Sequence, residues 1–148
     1  MIKLVVFDLE WVVYDPTKKS LCKWFQSIYN FAKNNNIMVA IATWATKKEI
    51  EHIAQKTPLR ELFWTNIFCS PDLGYDSKKE PLFFNQIIKS LWLEPENSWM
   101  IDDGSNGIEW AKLAWLHTYY VWNNKISYCD YFGSMSDFLS FLQTNNDN

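Results

Sequence analysis

Strand-like and helix-like segments alternate along the whole 148-residue chain, which predicts an α/β fold. The expected architecture is a three-layer Rossmann-like sandwich around a central, mainly parallel sheet of about five strands. Three observations carry this. Short apolar runs read as strands buried on both faces. Segments between them place apolar residues at helical spacing. Polar residues collect just after the strands, and ligands bind at that rim in such sheets.

The elements follow in order. Ile2 to Asp8 is a β-branched apolar run and the first strand. Tyr14 to Thr17 is a loop around Pro16. A helix follows, with Leu21, Phe25, Ile28 and Ala32 on one face, and Asn34 to Asn36 stop it. Ile37 to Thr43 is the second strand. Thr46 with Glu49 three residues on forms a capping-box pattern, and Pro58 closes that helix. "LRELF" adds a further turn, and Asn66 to Cys69 is the third strand. Pro71 to Ser77 is loop, and Pro81 to Leu91 is a helix with proline in its first turn. Ser98 to Ile101 is the fourth strand, Gly104 to Gly107 a turn, and Ile108 to Leu116 a helix. Thr118 to Val121 is the fifth strand. Ser136 to Gln143 is the last helix, and residues 144–148 are expected to fray.

One domain spanning residues 1–148 suits this length. A net charge of -3, with no block of like charge and Arg60 as the only arginine, argues against a nucleic-acid partner. No apolar run reaches the ~20 residues that span a bilayer. Cys22, Cys69 and Cys129 are scattered without metal-ligand spacing and read as reduced thiols. The N-terminus is too short and too acidic for a signal peptide, so the expected compartment is the cytoplasm. Nine tryptophans are the compositional oddity.

Asp8 ends the first strand and Glu10 lies two residues on. Thr43 ends the second strand, Lys78 precedes the "EPLFF" helix, and Asp102 and Asp103 follow the fourth strand. Each alone is an ordinary turn, cap or solvated residue. Together, four acids, a lysine and a hydroxyl on one rim suit phosphoryl transfer. Clustered carboxylates call for a hard cation, and magnesium prefers oxygen ligands. A carboxylate can serve as nucleophile, a second can protonate the leaving oxygen, and a lysine and a hydroxyl can hold phosphoryl charge. Response-regulator receiver domains use similar parts, but there the acidic pair follows the first strand. Here it comes last.

The order resembles that of the haloacid dehalogenase superfamily. "VVFDLEWVV", "VAIATWA", "SKKEPLFF" and "WMIDDGSNGIEWAKLA" resemble its four motifs in sequence order, from Val5 to about Leu116. The resemblance implies Asp8 as nucleophile and magnesium ligand. It implies Glu10 as general acid/base, with its backbone carbonyl a further ligand. Thr43 and Lys78 would hold the phosphoryl oxygens, with Lys79 the alternative to Lys78. Asp103 would bind the metal, with Asp102 beside it. The second acid is usually Asp where this chain has Glu10, Thr is usual at Val12, and Gly is usual at Trp115. The family's dehalogenases and ATPases generally lack an acid at the second position, so Glu10 points to phosphatase chemistry.

Thirty-four residues lie between Asp8 and Thr43, and 34 again between Thr43 and Lys78. Neither gap holds a cap domain, so the chain resembles the family's capless branch of small magnesium-dependent phosphatases. An open site suits a phosphorylated macromolecule, or needs a neighbouring subunit as lid. Trp11 and Trp44 adjoin motif residues and are candidates for an aromatic substrate platform. Packing against the sheet or the following helices is the competing expectation. Two functions follow: a magnesium-dependent phosphomonoesterase, or, from Glu10 and Val12, a degenerate domain that binds a phosphorylated partner.

Overall fold

The computed structural model describes residues 1–75, 81–121 and 135–146. Five strands form one sheet: β1 (Leu4–Phe7), β4 (Met38–Thr43), β5 (Ile67–Cys69), β6 (Ser98–Asp102) and β7 (His117–Tyr120). Their order is β5-β4-β1-β6-β7, and every pairing is parallel. The expected fold class is the observed one. β1 is central, flanked by β4 through Phe7–Ile41 and by β6 through Phe7–Ile101.

Side chains alternate across the sheet, as the two-residue period of a strand requires. Val5, Phe7, Val39, Ile41, Trp99 and Ile101 face one core, with α1 (Lys23–Asn34), α2 (Lys47–Ala54), α3 (Leu59–Phe63) and α6 (Met135–Asn146) packed over it. Leu4, Val6, Ala40, Ala42 and Met100 face the other, covered by α4 (Pro81–Ser90) and α5 (Ser105–Leu113). Directly before Asp8, Phe7 meets Phe25 edge-on at 5.2 Å, and Phe25 stacks on Phe63 at 5.6 Å. Each fully buried Phe contributes about 1.5–3 kcal/mol of transfer free energy. The central strand is therefore firmly seated where it delivers Asp8.

Several boundaries differ from those expected. The segment after β1 is a hairpin, β2 (Tyr14–Asp15) with β3 (Ser20–Leu21), rather than loop and helix start. Asp15 holds its turn by accepting from the Thr17 amide and hydroxyl and from the Lys18 amide. Leu21 thus lies on a strand, and α1 starts at Lys23. Pro71–Leu73 forms a 3-10 turn within the expected loop. α5 starts at Ser105, so the Gly104–Gly107 turn is mostly helix. α6 continues to Asn146, past the expected fray point, and the Thr144 hydroxyl donates back to the Ser140 carbonyl. The capping box stands as expected: Thr46 accepts from the Glu49 amide, and the Glu49 carboxylate accepts from the Thr46 amide.

Candidate active site

Asp8 is the first residue past β1. Its amide donates to the Ile101 carbonyl at 2.8 Å, which ties it to β6. Asp102 is the last residue of β6, and one of its carboxylate oxygens accepts from the Gly104 amide at 2.9 Å. Asp8 and Asp102 are buried, at 6% and 1% exposure, and Asp103 beside them is half-buried. Adjacent parallel strands in register thus bring three acids to one point. A carboxylate oxygen from each lies within 4.8 Å of the others.

The donor set fits a hard divalent cation. Three anionic oxygens this close, two of them on buried residues, repel strongly without one, and all are the oxygen ligands that magnesium takes. Two of the three carboxylates come from adjacent positions at one strand end, and of the three only Asp103 is partly open to solvent.

Thr43 ends β4, the other neighbour of β1, and is 2% exposed. Its hydroxyl oxygen accepts from the Ala45 amide at 3.1 Å, which fixes the side chain at the turn into α2. The Glu10 carboxylate is not in the three-acid group. Glu10 is exposed and lines a cavity of about 410 Å³ with Tyr14, Ala45, Lys48, Glu49, His52 and Ile53. That cavity runs between the hairpin and α2. Sequence reasoning missed Tyr14, Lys48 and His52: Lys48 and His52 lie on the expected helix α2, but the hairpin that sets Tyr14 beside Glu10 and closes the cavity against that helix was not foreseen. Lys78 and Lys79 lie outside the described residues.

Trp11 and Trp44 are 46% and 65% exposed: Trp44 lies mainly on the surface, and Trp11 is about half covered. Val12 does pack: it is 1% exposed within the first core, which accounts for an apolar residue at that position. Cys69, at the end of β5, is buried. Burial, and then the charge of Asp72, push Cys69 up to about 11, so it stays protonated at neutral pH. The described residues between Asp8 and Thr43 form the hairpin, α1 and β4, and those from Thr43 to Tyr75 form α2, α3, β5 and a 3-10 turn. They leave no room for an inserted domain. Among the described residues, no helix is long and apolar enough to cross a membrane.

Comparison with known proteins agrees with this geometry. The sequence profile of the haloacid dehalogenase-like hydrolases matches residues 3–114. A HAD-superfamily hydrolase from Ehrlichia chaffeensis superposes with a TM-score of 0.79 at 16% identity, over 100% of both chains. A putative beta-phosphoglucomutase from Thermotoga maritima gives 0.82 at 14% identity, over 97% of this chain and 99% of that one. CbbY from Rhodobacter sphaeroides, solved with xylulose-(1,5)bisphosphate, gives 0.75 at 15% identity, over 92% and 96%. No curated protein sequence matches the chain. With three quarters of its length matched by one profile and that family's fold throughout, the chain belongs to the haloacid dehalogenase-like hydrolases.

Proposed function

We propose that the chain is a magnesium-dependent phosphomonoester hydrolase that acts through an aspartyl-phosphate on Asp8. The observation that carries this reading is the meeting of Asp8, Asp102 and Asp103 at the ends of β1 and β6. The names of two structural neighbours, one a putative beta-phosphoglucomutase and one in complex with xylulose-(1,5)bisphosphate, add support.

Asp8 attacks phosphorus through one carboxylate oxygen, and the bond from phosphorus to the leaving oxygen breaks. Glu10 gives its proton to that oxygen. Water then attacks the aspartyl-phosphate, Glu10 takes the water's proton, and phosphate departs with Asp8 restored. Asp8, Asp102 and Asp103, with the Glu10 carbonyl, would hold magnesium, which supplies charge neutralisation for the phosphoryl oxygens. Thr43 and Lys78 hold the remaining phosphoryl oxygens. The cavity between the hairpin and α2 is the place for the leaving group, because Glu10 lines it and must reach the leaving oxygen. Without a cap the site accepts a phosphate carried on a large molecule, and the expected setting is the cytoplasm.

The test is hydrolysis of an aryl phosphate, with magnesium or with EDTA, by the native chain, Asp8→Asn and Glu10→Asp. Turnover should require magnesium and fall to background in Asp8→Asn. Turnover that survives in Asp8→Asn overturns the nucleophile assignment. A silent native chain that gains activity as Glu10→Asp would assign it to binding alone.

A further inference from the structure

Among the described residues, left-handed backbone falls mostly on tryptophan. Seven described residues have positive φ: Gly74, Asn36, Lys19, and the four tryptophans Trp11, Trp64, Trp92 and Trp115. Glycine takes this conformation freely and asparagine tolerates it, but for a bulky side chain it is an outlier.

The local geometry at three of the four is that of a glycine position. α4 ends with the Leu93 amide bonded to the Ile88 carbonyl and the Trp92 amide to Lys89. α5 ends in the same way, Leu116 to Ala111 and Trp115 to Lys112. Both are Schellman motifs, whose left-handed residue is usually glycine. α1 ends with the same pair of bonds, Ile37 to Ala32 and Asn36 to Lys33, and there the left-handed residue is asparagine. Trp64 has φ 52° and ψ -122°, the first central position of a type II′ turn, which takes glycine.

Three of the four indoles also gain little burial to offset the strain, Trp11 being the partly covered one. Trp11, Trp64, Trp92 and Trp115 are 46%, 76%, 93% and 82% exposed. Trp99 is the contrast: buried, on ordinary backbone, stacked on His117 at 5.0 Å and edge-on to Phe141. Trp110 packs against the second core from within α5. Composition points the same way. The chain has nine tryptophans and four glycines, where glycine alone is about 7% of an average protein.

We propose that residues 11, 64, 92 and 115 are glycine positions, encoded not by the UGG codon of Trp99 and Trp110 but by UGA, which some genetic codes read as tryptophan and which the native cell decodes as glycine. Four separate substitutions to tryptophan would each have to survive a backbone penalty. One codon reassignment accounts for the tryptophan excess, the glycine deficit and the conformation together. Trp44, exposed on backbone without positive φ, carries no such signal and is not included. For the site, the consequence is local. The residue after Glu10 becomes an unstrained turn residue, and no indole at position 11 stands beside the catalytic acid. The inference does not rest on the phosphatase reading.

Tandem mass spectrometry of the protein isolated from cells that natively encode it tests the decoding. Glycine is expected at all four positions, with Trp99 and Trp110 intact as internal controls. Tryptophan at the four positions overturns the decoding. Recombinant chain carrying all nine tryptophans tests the positions themselves in denaturant titrations. Trp92→Gly and Trp115→Gly should each raise the folding equilibrium constant roughly 5- to 30-fold, while Trp99→Gly lowers it. Unchanged or lowered stability in both helix-end variants overturns the assignment of glycine positions.

Discussion

Removing one carboxylate from the three-acid group should stabilise the metal-free protein while abolishing its response to magnesium. Asp103→Asn is the informative change, because Asp103 is the half-buried member and Asp102 also caps the turn through the Gly104 amide. Two unit charges at the 4.8 Å upper limit of the group repel by ~3 kcal/mol at an effective dielectric constant near 20. Asp103 takes part in two such pairs, and its other polar interactions offset part of that repulsion. A net gain of about 1–3 kcal/mol follows, or roughly 3–9 °C in Tm for a domain of this size. Magnesium at 100 times its dissociation constant would add about 2.7 kcal/mol to the native chain. The assay is thermal unfolding in EDTA and in magnesium, for both proteins. The native chain should gain in magnesium. Asp103→Asn should start higher in EDTA and respond little. If Asp103→Asn is no more stable than the native chain in EDTA, and magnesium moves neither, the group is not a strained cation site and the mechanism loses its basis.

Two further outcomes are expected from the structure. Thr46→Ala removes one half of the α2 capping box and should cost about 1 kcal/mol by chemical denaturation. Because α2 also forms one wall of the cavity beside Glu10, KM should rise more than kcat falls. Cys69 holds its proton more tightly folded, at about 11, than its ordinary value of 9.0. The native state then binds more protons than the unfolded state between those values, so this contribution is complete below about pH 9 and lost as pH rises through about 11. Stability of Cys69→Ala should fall less steeply across that window, and equal slopes in the two proteins would remove Cys69 from the alkaline transition.

The sheet was legible because its strands are buried on both faces and carry continuous apolar runs, from "LVVF" to "SWMID". The rim was legible for a related reason. Polar residues that interrupt such runs at their carboxyl ends fall on the rim of the sheet, as with Asp8, Thr43 and Asp102. The hairpin was not legible, since strands of two residues leave no periodicity and its turn depends on Asp15 bonding to Thr17 and Lys18. The start of α5 was obscured by two glycines in four residues, which read as a turn although Ser105 to Gly107 are helical. The exposed tryptophans were misleading in kind. Trp115 marked a place where glycine is usual, but only the backbone angles tie it to Trp11, Trp64 and Trp92.

The two acids of "FDLEW" are held by different means, and this bears on the extra methylene of Glu10. Asp8 is fixed by the sheet through its amide bond to Ile101. Glu10 belongs to a turn pinned from both sides: Leu9 and Val13 are buried, and the Val13 and Tyr14 amides both donate to the Leu9 carbonyl. Its backbone is therefore set relative to Asp8, while its side chain stands exposed at the mouth of the cavity toward Lys48 and His52. A shift of about 1 Å at a catalytic group can cost ~10²-fold when the reacting partners are rigidly held. In the proposed mechanism the leaving oxygen would arrive in an open cavity, so a longer side chain would select where that oxygen must sit. Glu10→Asp should accordingly change which leaving groups turn over best, with bulky and small aryl phosphates ranked differently by the two proteins. A uniform rise or fall across a leaving-group series would mean that reach at residue 10 controls rate alone.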